Sequence, residues 1–322
     1  MRLLSINNST GAIALGAQTP PVQGATPTGL ALDPSKKFLY VANSGTNTIS
    51  VFNIAGDGTL TLSGNPVPAG VGPRAMVLDP SGQYLLVTNS GSNANNVSVF
   101  SVAAGVLTEV AGSPFPAHNG PTDILITPSG KFVYVTNPSI GFITAFTFAG
   151  GVLSEVNGSP YFSGGGVSGL AVESGEHFLY AANTTANNIS GFAIDSTSGA
   201  LTPVPGSPFT SIAGSGPSAM SMDTNNKFLY VATQGSSDSI WAFTWNSTSG
   251  TLTAASNSPF NLLSAGSLFL LMEPKGGFFY IGNQAGANIS AFEYSSGNAM
   301  PAAIPNSPFS TGTAPGKMLI ID

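Results

Sequence analysis

One six-residue segment recurs along the chain at a nearly constant spacing, and this repeat constrains the fold more than any other feature of the sequence. The first copy, FLYVAN, covers residues 38–43, and the copies end at residues 43, 89, 137, 183, 233 and 283. A period of 46 to 50 residues is typical of one blade of a β-propeller. The spacing therefore predicts a ring of similar sheets.

Each period contains four short runs in which apolar and polar residues alternate. In the first period these runs cover residues 29–32, 38–42, 48–53 and 59–62. Alternation of this kind indicates half-buried antiparallel strands. The first two runs are separated by Asp33-Pro34-Ser35, which is typical turn chemistry. The sequence thus predicts four-stranded antiparallel blades.

A second motif, Gly-Ser-Pro-Phe, follows the fourth run at residues 112–115, with related Pro-aromatic pairs beginning at Pro160, Pro208, Pro259 and Pro308. Proline lacks an N–H group, so it is suited to the outer edge of a sheet. We expect the aromatic residue that follows it to pack between blades.

We predict an all-β, seven-bladed propeller that forms a single domain over residues 1–322. Blades 1 to 6 are predicted at about residues 28–64, 73–115, 121–161, 168–209, 218–260 and 267–309. The seventh blade is predicted to be shared between the termini, with outer strands in residues 1–18 and the inner strand in residues 316–322. Such closure hides sheet edges.

The predicted seventh blade is expected to lack one strand, because neither terminus contains a copy of the second run. The first and third strands of a blade are parallel and cannot adopt the same ladder directly. Either the blade contains a gap or the chain is a piece of a longer protein. We favour the second alternative.

Composition excludes several classes of function. The chain has eight Lys and Arg residues and a net charge of −6, so it offers no basic surface for nucleic acid. It has no cysteine and two histidines, and we predict no metal site and no cofactor. No apolar run is long enough to span a membrane, and no signal peptide is recognisable. The low charge and high Ser, Thr and Asn content indicate a monomer located outside the cytoplasm.

The strings FLYVANSGTNTISVF, YLLVTNSGSNANNVSVF and FVYVTNPSIGFITAF resemble the seven-bladed lactonase propellers and their YVTN surface-layer relatives. The resemblance covers essentially the whole chain. Members similar to 6-phosphogluconolactonase open a sugar lactone by hydrolysis. The resemblance implies functional Arg, His and Glu residues at the mouth of the central channel, within Gly-Pro-Arg-His and Asn-Glu segments. The chain has Gly-Pro-Arg at residues 72–74, but Ala75 stands at the His position and Ser90 at the Glu position.

Ligands of propellers usually bind where the loops before the first strands open. The residues there are predicted to be Thr28, Arg74, Thr122 with Asp123, Ser168, Ser218, Ser267 and Lys317. We predict that Arg74, Lys317 and Asp123 bind a small anionic or sugar-like ligand, since an Arg fork fits carboxylate or phosphate. The alternative is that Arg74 simply pairs with Asp123.

Two residues are weak candidates for proton transfer, and the catalytic residues are otherwise unknown. Asp123 needs a raised pKa to act as a general base, and the neighbouring Arg74 is expected to lower it. His118 is predicted in a loop on the channel face, the alternative being a solvated side chain. His177 is predicted on the surface of the opposite face. The Asn that ends most second strands is predicted to be structural.

Three functions are compatible with these sequence features. The leading hypothesis is a non-catalytic binding or surface-interaction module, whose partner is a small ligand or another protein or cell surface. The first alternative is a lactone hydrolase with its site at the channel mouth. The second is a structural surface-layer repeat domain.

Overall fold

The computed structural model describes residues 2–18, 24–210, 216–234, 238–256, 258–262, 264–295 and 297–320. Over these residues the chain forms β-strands and turns without any helix. This part of the chain therefore contains no helix that could cross a membrane. The first two strands, β1 (Arg2–Ile6) and β2 (Ile13–Gln18), form a two-stranded antiparallel sheet. Six larger sheets follow in chain order, and we call them blades 1 to 6.

The strands of the first three blades are as follows. Blade 1 contains β3 (Pro27–Leu32), β4 (Phe38–Asn43), β5 (Thr48–Ile54), β6 (Leu60–Leu62) and β7 (Val67–Pro68). Blade 2 contains β8 (Pro73–Leu78), β9 (Tyr84–Asn89), β10 (Asn96–Ala103), β11 (Val106–Glu109) and β12 (Phe115–Pro116). Blade 3 contains β13 (Ile124–Ile126), β14 (Phe132–Asn137), β15 (Phe142–Ala149), β16 (Val152–Glu155) and β17 (Tyr161–Phe162).

The remaining blades repeat the same pattern. Blade 4 contains β18 (Val167–Val172), β19 (Phe178–Asn183), β20 (Asn188–Ile194) and β21 (Leu201–Pro203). Blade 5 contains β22 (Pro217–Met222), β23 (Phe228–Thr233), β24 (Ser239–Trp245), β25 (Leu252–Ala254) and β26 (Phe260–Asn261). Blade 6 contains β27 (Ser267–Met272), β28 (Phe278–Asn283), β29 (Asn288–Ser295), β30 (Asn298–Ala303) and β31 (Phe309–Ser310).

Each blade is an antiparallel sheet whose first four strands lie side by side in chain order, as the alternating pattern predicts. Five blades add a short fifth strand that pairs with the third strand, and in blade 4 one bridge between Ile189 and Phe209 takes its place. This addition was not predicted. In blades 2, 3, 5 and 6 it follows the Ser-Pro motif, where the Ser hydroxyl accepts a hydrogen bond from the third strand, as Ser113 Oγ does from Val99 N–H at 3.0 Å.

The hydrophobic core lies between neighbouring blades. Separate apolar clusters join blades 1 and 2, 2 and 3, 3 and 4, 4 and 5, and 5 and 6. The second strands are almost wholly buried, with a tyrosine as third residue in five of them. Three of these tyrosines donate a hydrogen bond to the next blade in the ring, namely Tyr134 to Gly199 O, Tyr180 to Gly250 O and Tyr230 to Ala299 O.

The two chain ends meet between blade 6 and blade 1. Tyr280 of blade 6 donates to Gly11 O in the β1–β2 turn at 3.2 Å, in the same way as the other tyrosines. Met318 and Ile320 pack with this N-terminal sheet on blade 6, whereas Leu319 packs on blade 1. The predicted inner strand over 316–322 is not formed by residues 316–320, and residues 321 and 322 lie outside the described part of the chain.

The tyrosine bonds between blades generate a prediction. Tyr180→Phe and Tyr280→Phe each remove a buried hydroxyl that pairs with a carbonyl of the next blade, so each is expected to lower the free energy of unfolding by about 1 kcal/mol. Tyr40→Phe is the matched control, because the buried Tyr40 hydroxyl has no partner among the described residues. That variant should be as stable as the parent or slightly more stable. Urea unfolding of the purified variants measures the difference; equal losses in all three would contradict the assigned role of these bonds.

Candidate functional site at the channel mouth

In most blades the first strand, which lies nearest the channel, contains a β-bulge at its second residue. In blades 1, 4 and 5 the register shifts around Thr28, Ser168 and Ser218, and in blade 2 around Arg74 and Ala75. A bulge leaves the extra residue outside the ladder and re-aims its side chain. In blades 1, 2, 4 and 5 a position predicted to line the channel mouth is therefore one that the backbone releases from the sheet, whereas in blade 6 the bulge lies at Leu268 and the predicted Ser267 pairs with Asn283.

Hydroxyl groups at these positions link neighbouring blades. Thr28 Oγ1 donates to Pro73 O at 2.7 Å, and Ser168 Oγ donates to Pro217 O at 3.2 Å. The hydroxyls of Ser218 and Ser267 lie 3.2 Å apart. The greater part of this ring is thus neutral and already hydrogen-bonded, so the chemistry of the site depends on its few charged members.

Three charged residues are predicted at the mouth: Arg74, Asp123 and Lys317. The Arg74 and Lys317 side chains are exposed, whereas Asp123 is partly buried. Both cations act electrostatically on the Asp123 carboxylate, which places all three in one neighbourhood. Within the described residues, neither cation forms an ion pair with Asp123, so the simple Arg74–Asp123 pairing considered above is absent. The two cations remain available to an anionic ligand.

Burial raises the pKa of Asp123; Arg74 lowers it, as expected from the sequence, but by less than burial raises it. Loss of hydration raises the pKa, because burial disfavours the charged carboxylate. Lys317, hydrogen bonds from the backbone of Ile124 and Leu170, and Arg74 lower it by a smaller amount. The sequence predicted the neighbouring Arg74, but it did not show that burial beside blade 4 has the larger effect on the pKa of Asp123.

Asparagine side chains fix the loops that carry these charges. Asn47 Oδ1 accepts from Gly72 N–H at 2.8 Å, just ahead of Arg74. Asn95 Oδ1 accepts from Gly120 N–H at 2.9 Å, just ahead of Asp123. Asn47 and Asn95 have positive φ angles of 55° and 39°, which Asn tolerates better than most residues. Neither asparagine was predicted from the sequence, although their place in the turns after the second strands was a usable signal.

The two positions that the resemblance assigns to His and Glu have a different environment here. Ala75 is buried, and its N–H donates to Thr88 Oγ1 at 3.0 Å. Ser90 binds the Gly72 carbonyl through its N–H at 3.0 Å. Neither residue can transfer a proton as His or Glu would.

The two histidines lie apart from the charged mouth. His118 Nε2 is 2.8 Å from Glu155 Oε1, and Glu155 ends β16, the outermost strand of blade 3. The loop therefore directs His118 toward the outer rim rather than toward Arg74. The His177 side chain is 71% exposed and lies 3.4 Å from Glu173, as expected for a surface residue.

The asparagine that ends five of the second strands is structural, as predicted. All five side chains are fully buried: Asn43, Asn89, Asn137, Asn183 and Asn283. Their amide groups donate to polar side chains of the third strand, as Asn89 does to Ser98 Oγ at 3.0 Å, or to carbonyls of the loop that leads in from the preceding blade, as Asn137 does to Ala117 O at 2.7 Å. They consequently do not form a ligand-binding ring.

Metal binding finds no support in the described part of the chain, where no group of three or more His, Asp or Glu side chains could hold an ion. The arrangement can nevertheless bind an anion between two cations beside a carboxylate of raised pKa. Fold and site together define a β-propeller whose candidate site lies at one end of the channel.

Comparison with known sequences then gives the family. The family model described as lactonase, seven-bladed β-propeller, matches residues 2–114, 106–211 and 203–308, so the chain belongs to this family. No curated protein sequence matches it.

Solved structures show the same fold at low sequence identity. A protein from Bacteroides uniformis, provisionally assigned as a 6-phosphogluconolactonase, is 18% identical with a TM-score of 0.82, and the match covers 98% of this chain and 93% of that one. The periplasmic gluconolactonase of Pseudomonas aeruginosa is also 18% identical, with a TM-score of 0.80 and coverage of 96% and 93%. At this level of identity, the similarities establish the architecture of the chain.

The buried asparagines allow a test of their structural role. Asn89 Oδ1 has no partner among the described residues, whereas Asn183 Oδ1 accepts from Ser163 Oγ at 2.9 Å. Ala69 holds the equivalent position, so Ala69→Ser is expected to raise the free energy of unfolding by about 1 kcal/mol. Ala117→Ser is the control, because Asn137 Oδ1 already accepts from Thr144. A gain of equal size in the control, measured by urea unfolding, would refute the explanation.

The raised pKa of Asp123 predicts a pH-dependent stability. The native state holds the Asp123 proton more tightly than the unfolded chain, so the charged carboxylate costs stability once the pH rises through the native pKa. Asp123→Asn should therefore raise Tm by about 1–3 °C at pH 7, and the gain should disappear in acid. Asp195→Asn is the control, since hydrogen bonds from Ser198 and Thr197 lower the pKa of that exposed group. Calorimetry across pH would disprove the assignment if both variants behaved alike.

Proposed function

We propose that the protein hydrolyses a lactone at the channel mouth, with Arg74 and Lys317 binding an anionic part of the substrate and Asp123 acting as general base. The observation that carries this proposal is a carboxylate of raised pKa placed near two exposed cations. Membership of the lactonase propeller family supports it, as does the similarity to a periplasmic gluconolactonase.

The proposed chemistry follows from the groups present. Asp123 accepts a proton from water while the water oxygen attacks the lactone carbonyl carbon. The carbonyl oxygen becomes an oxyanion, which a neighbouring cation stabilises. The ester C–O bond of the ring then breaks, the ring oxygen takes up a proton, and a hydroxy acid leaves. A raised pKa makes Asp123 a stronger base than an ordinary carboxylate while it still ionises.

Asp123 stands in blade 3 where Ala75 stands in blade 2. Residues 120–123 read Gly-Pro-Thr-Asp, and residues 72–75 read Gly-Pro-Arg-Ala. The Ala75 N–H donates to Thr88 Oγ1, and the Asp123 N–H donates to Thr136 Oγ1 at 2.9 Å. An acid/base group is thus present at the proposed position of the family's His, one blade further around the ring.

A second candidate is a binding protein that recognises the same anionic ligand without turning it over. Ala75 and Ser90 at the positions of the family's His and Glu favour this alternative. In that case the two cations would retain their role and Asp123 would affect affinity and stability only. Location outside the cytoplasm and a monomeric state stay predictions from composition.

We also propose that β1, β2 and residues 316–320 are parts of a seventh blade. The Tyr280–Gly11 hydrogen bond repeats the contact made between blades 3, 4, 5 and 6. Met318, Leu319 and Ile320 alternate between the cluster on blade 6 and the cluster on blade 1. The effect of Tyr280→Phe on stability tests this arrangement.

The enzymatic proposal is tested with a panel of neutral and phosphorylated sugar lactones, with acid release followed in a pH-stat. We expect turnover of at least one lactone, with kcat/KM falling in acid as Asp123 takes up a proton. Asp123→Asn should lower kcat by about 10²- to 10⁴-fold and abolish that acid limb. Arg74→Ala should mainly raise KM.

Lys131→Ala provides the matched control, because Lys131 is an exposed cation in the turn between the first and second strands of blade 3, on the opposite face. It should leave both constants unchanged. Binding of the lactones or their open acids without turnover by the parent would establish the second candidate in place of the first. The absence of both binding and turnover would refute both candidates.

A further inference from the structure

We propose that the ligand at the channel mouth carries an apolar chain, and that this chain lies on an apolar patch formed by Ile140, Phe142 and Phe162 of blade 3. The chain is the alkyl substituent of a lactone, or of the hydroxy acid that forms when the lactone ring opens. This inference rests on the ligand site proposed above, and it adds the chemical class of the substituent.

The apolar patch lies at the end of blade 3 where the second strand ends, which in an antiparallel blade is also the end where the inner strand begins. Phe142, the first residue of β15, pairs with Phe162, the last residue of β17. Their ring centroids are 5.4 Å apart at an interplanar angle of 70°, a T-shaped contact. Phe162 is nevertheless 66% exposed, and Ile140 in the preceding turn is 38% exposed. Adjoining exposed apolar side chains, unlike single ones, are typical of interaction sites.

The other blades have polar or small residues in place of this patch. The position of Phe142 is occupied by Thr48, Asn96, Asn188, Ser239 and Asn288. The residues that pair with four of these, at the position of Phe162, are proline, asparagine or serine. The turns after the other five second strands contain no apolar residue larger than alanine. The patch is therefore a feature of blade 3 and is not part of the repeat.

Packing of the fold does not account for this difference. In four other blades the first residue of the third strand accepts a hydrogen bond from the asparagine that ends the second strand, as Asn96 Oδ1 does from Asn89 at 2.8 Å. Phe142 cannot accept such a bond, and Asn137 of blade 3 donates to Ala117 O at 2.7 Å. Blade 3 thus has an aromatic pair where these blades have a hydrogen bond, and Phe162 of that pair is mostly exposed.

A short path within blade 3 joins Asp123 to the patch. The Asp123 N–H donates to Thr136 Oγ1 at 2.9 Å, and the Thr136 N–H donates to Asp123 O at 3.0 Å. The next residue, Asn137, accepts at its carbonyl from the N–H groups of Ile140 and Gly141. Because such a turn spans less than about 7 Å, the Cα atoms of Thr136 and Ile140 lie within about 11 Å of each other. The blade that carries the carboxylate of the candidate site therefore also carries the patch.

Exposed apolar residues on the mouth face are concentrated around the candidate site. In the described part of the chain, three large apolar residues that are more than a third exposed lie on this face: Val71, Ile140 and Phe162. Val71 lies in the loop that leads to Arg74, and the other two belong to the blade of Asp123. The four remaining residues of this kind lie in outer strands. A ligand with its polar end near Arg74 and Asp123 thus has an apolar surface beside it.

The test uses the full chain and two series of straight-chain probes. The first series runs from γ-butyrolactone to γ-decanolactone, with hydrolysis followed in a pH-stat, and the second contains the corresponding γ-hydroxy acids, with binding followed by calorimetry. Each added methylene should raise kcat/KM for the lactone, and the affinity for the acid, about twofold, which is half of the free energy of a fully buried methylene.

Variants of the patch locate the chain. Phe162→Thr introduces the residue found after Phe209 in blade 4, and Ile140→Thr introduces a residue of the corresponding turn of blade 1. Each should weaken binding of γ-hydroxydecanoate about fivefold and leave binding of γ-hydroxybutyrate unchanged. Val106→Thr is the matched control, because Val106 is 65% exposed at the start of the outer strand β11. It should change neither value, and all three variants should keep the Tm of the parent.

The outcomes separate this inference from hydrolysis. Binding of the acids that depends on chain length, without turnover of any lactone, would support the inference and refute hydrolysis. Turnover that does not depend on chain length, or turnover of sugar lactones alone, would overturn the inference and leave hydrolysis in place. Chain-length dependence that survives both patch variants, or a dimer in ultracentrifugation that Phe162→Thr dissociates, would also overturn it. Absence of binding and turnover for every probe would refute both.

Discussion

The burial of second strands between neighbouring blades is the interaction on which the whole structure depends. A strand buried on both faces needs a sheet on each side, and four of the five tyrosines at its third position also donate to a carbonyl of the next sheet in the ring. One blade alone would expose most of its apolar surface, so the fold is stable only as a continuing ring. Between blades 6 and 1, residues 318–320 alternate in their contacts, with Met318 and Ile320 packed on blade 6 and Leu319 on blade 1.

The ring also decides where chemistry can occur. Every inner strand begins at the same end of the channel, and bulges release one residue there from the ladder. In a chain with only 7% charged residues, most of these residues are hydroxyls already bonded to neighbouring blades. The Asp123 carboxylate near two cations is therefore unusual in this chain. Its loss of hydration changes its pKa more than the attraction of either cation does.

Much of the fold was predictable because the repeat is local and periodic. The second strands were located to the residue, and the Asp-Pro turns mark the boundary between first and second strands. The fifth strands were missed because a third-strand N–H donates to the hydroxyl of Ser113 or its equivalents in place of a ladder bond, and periodicity does not reveal such a bond. For the site, Arg74, Asp123 and Lys317 were predicted from alignment of the repeats, whereas the contact of His118 with Glu155 was not predicted, because it depends on how the loop folds back on blade 3.

The sequence by itself determined the first four strands of each blade and the number of complete blades, because each follows from spacing within one repeat. Tertiary structure alone decided the direction of the Asp123 pKa, the pinning of its loop by Asn95, and the place of the chain ends. These depend on how closely different repeats approach one another, since hydration, hydrogen bonding and burial are shared between blades. Such distances are set by packing of the whole ring, and no single repeat encodes them.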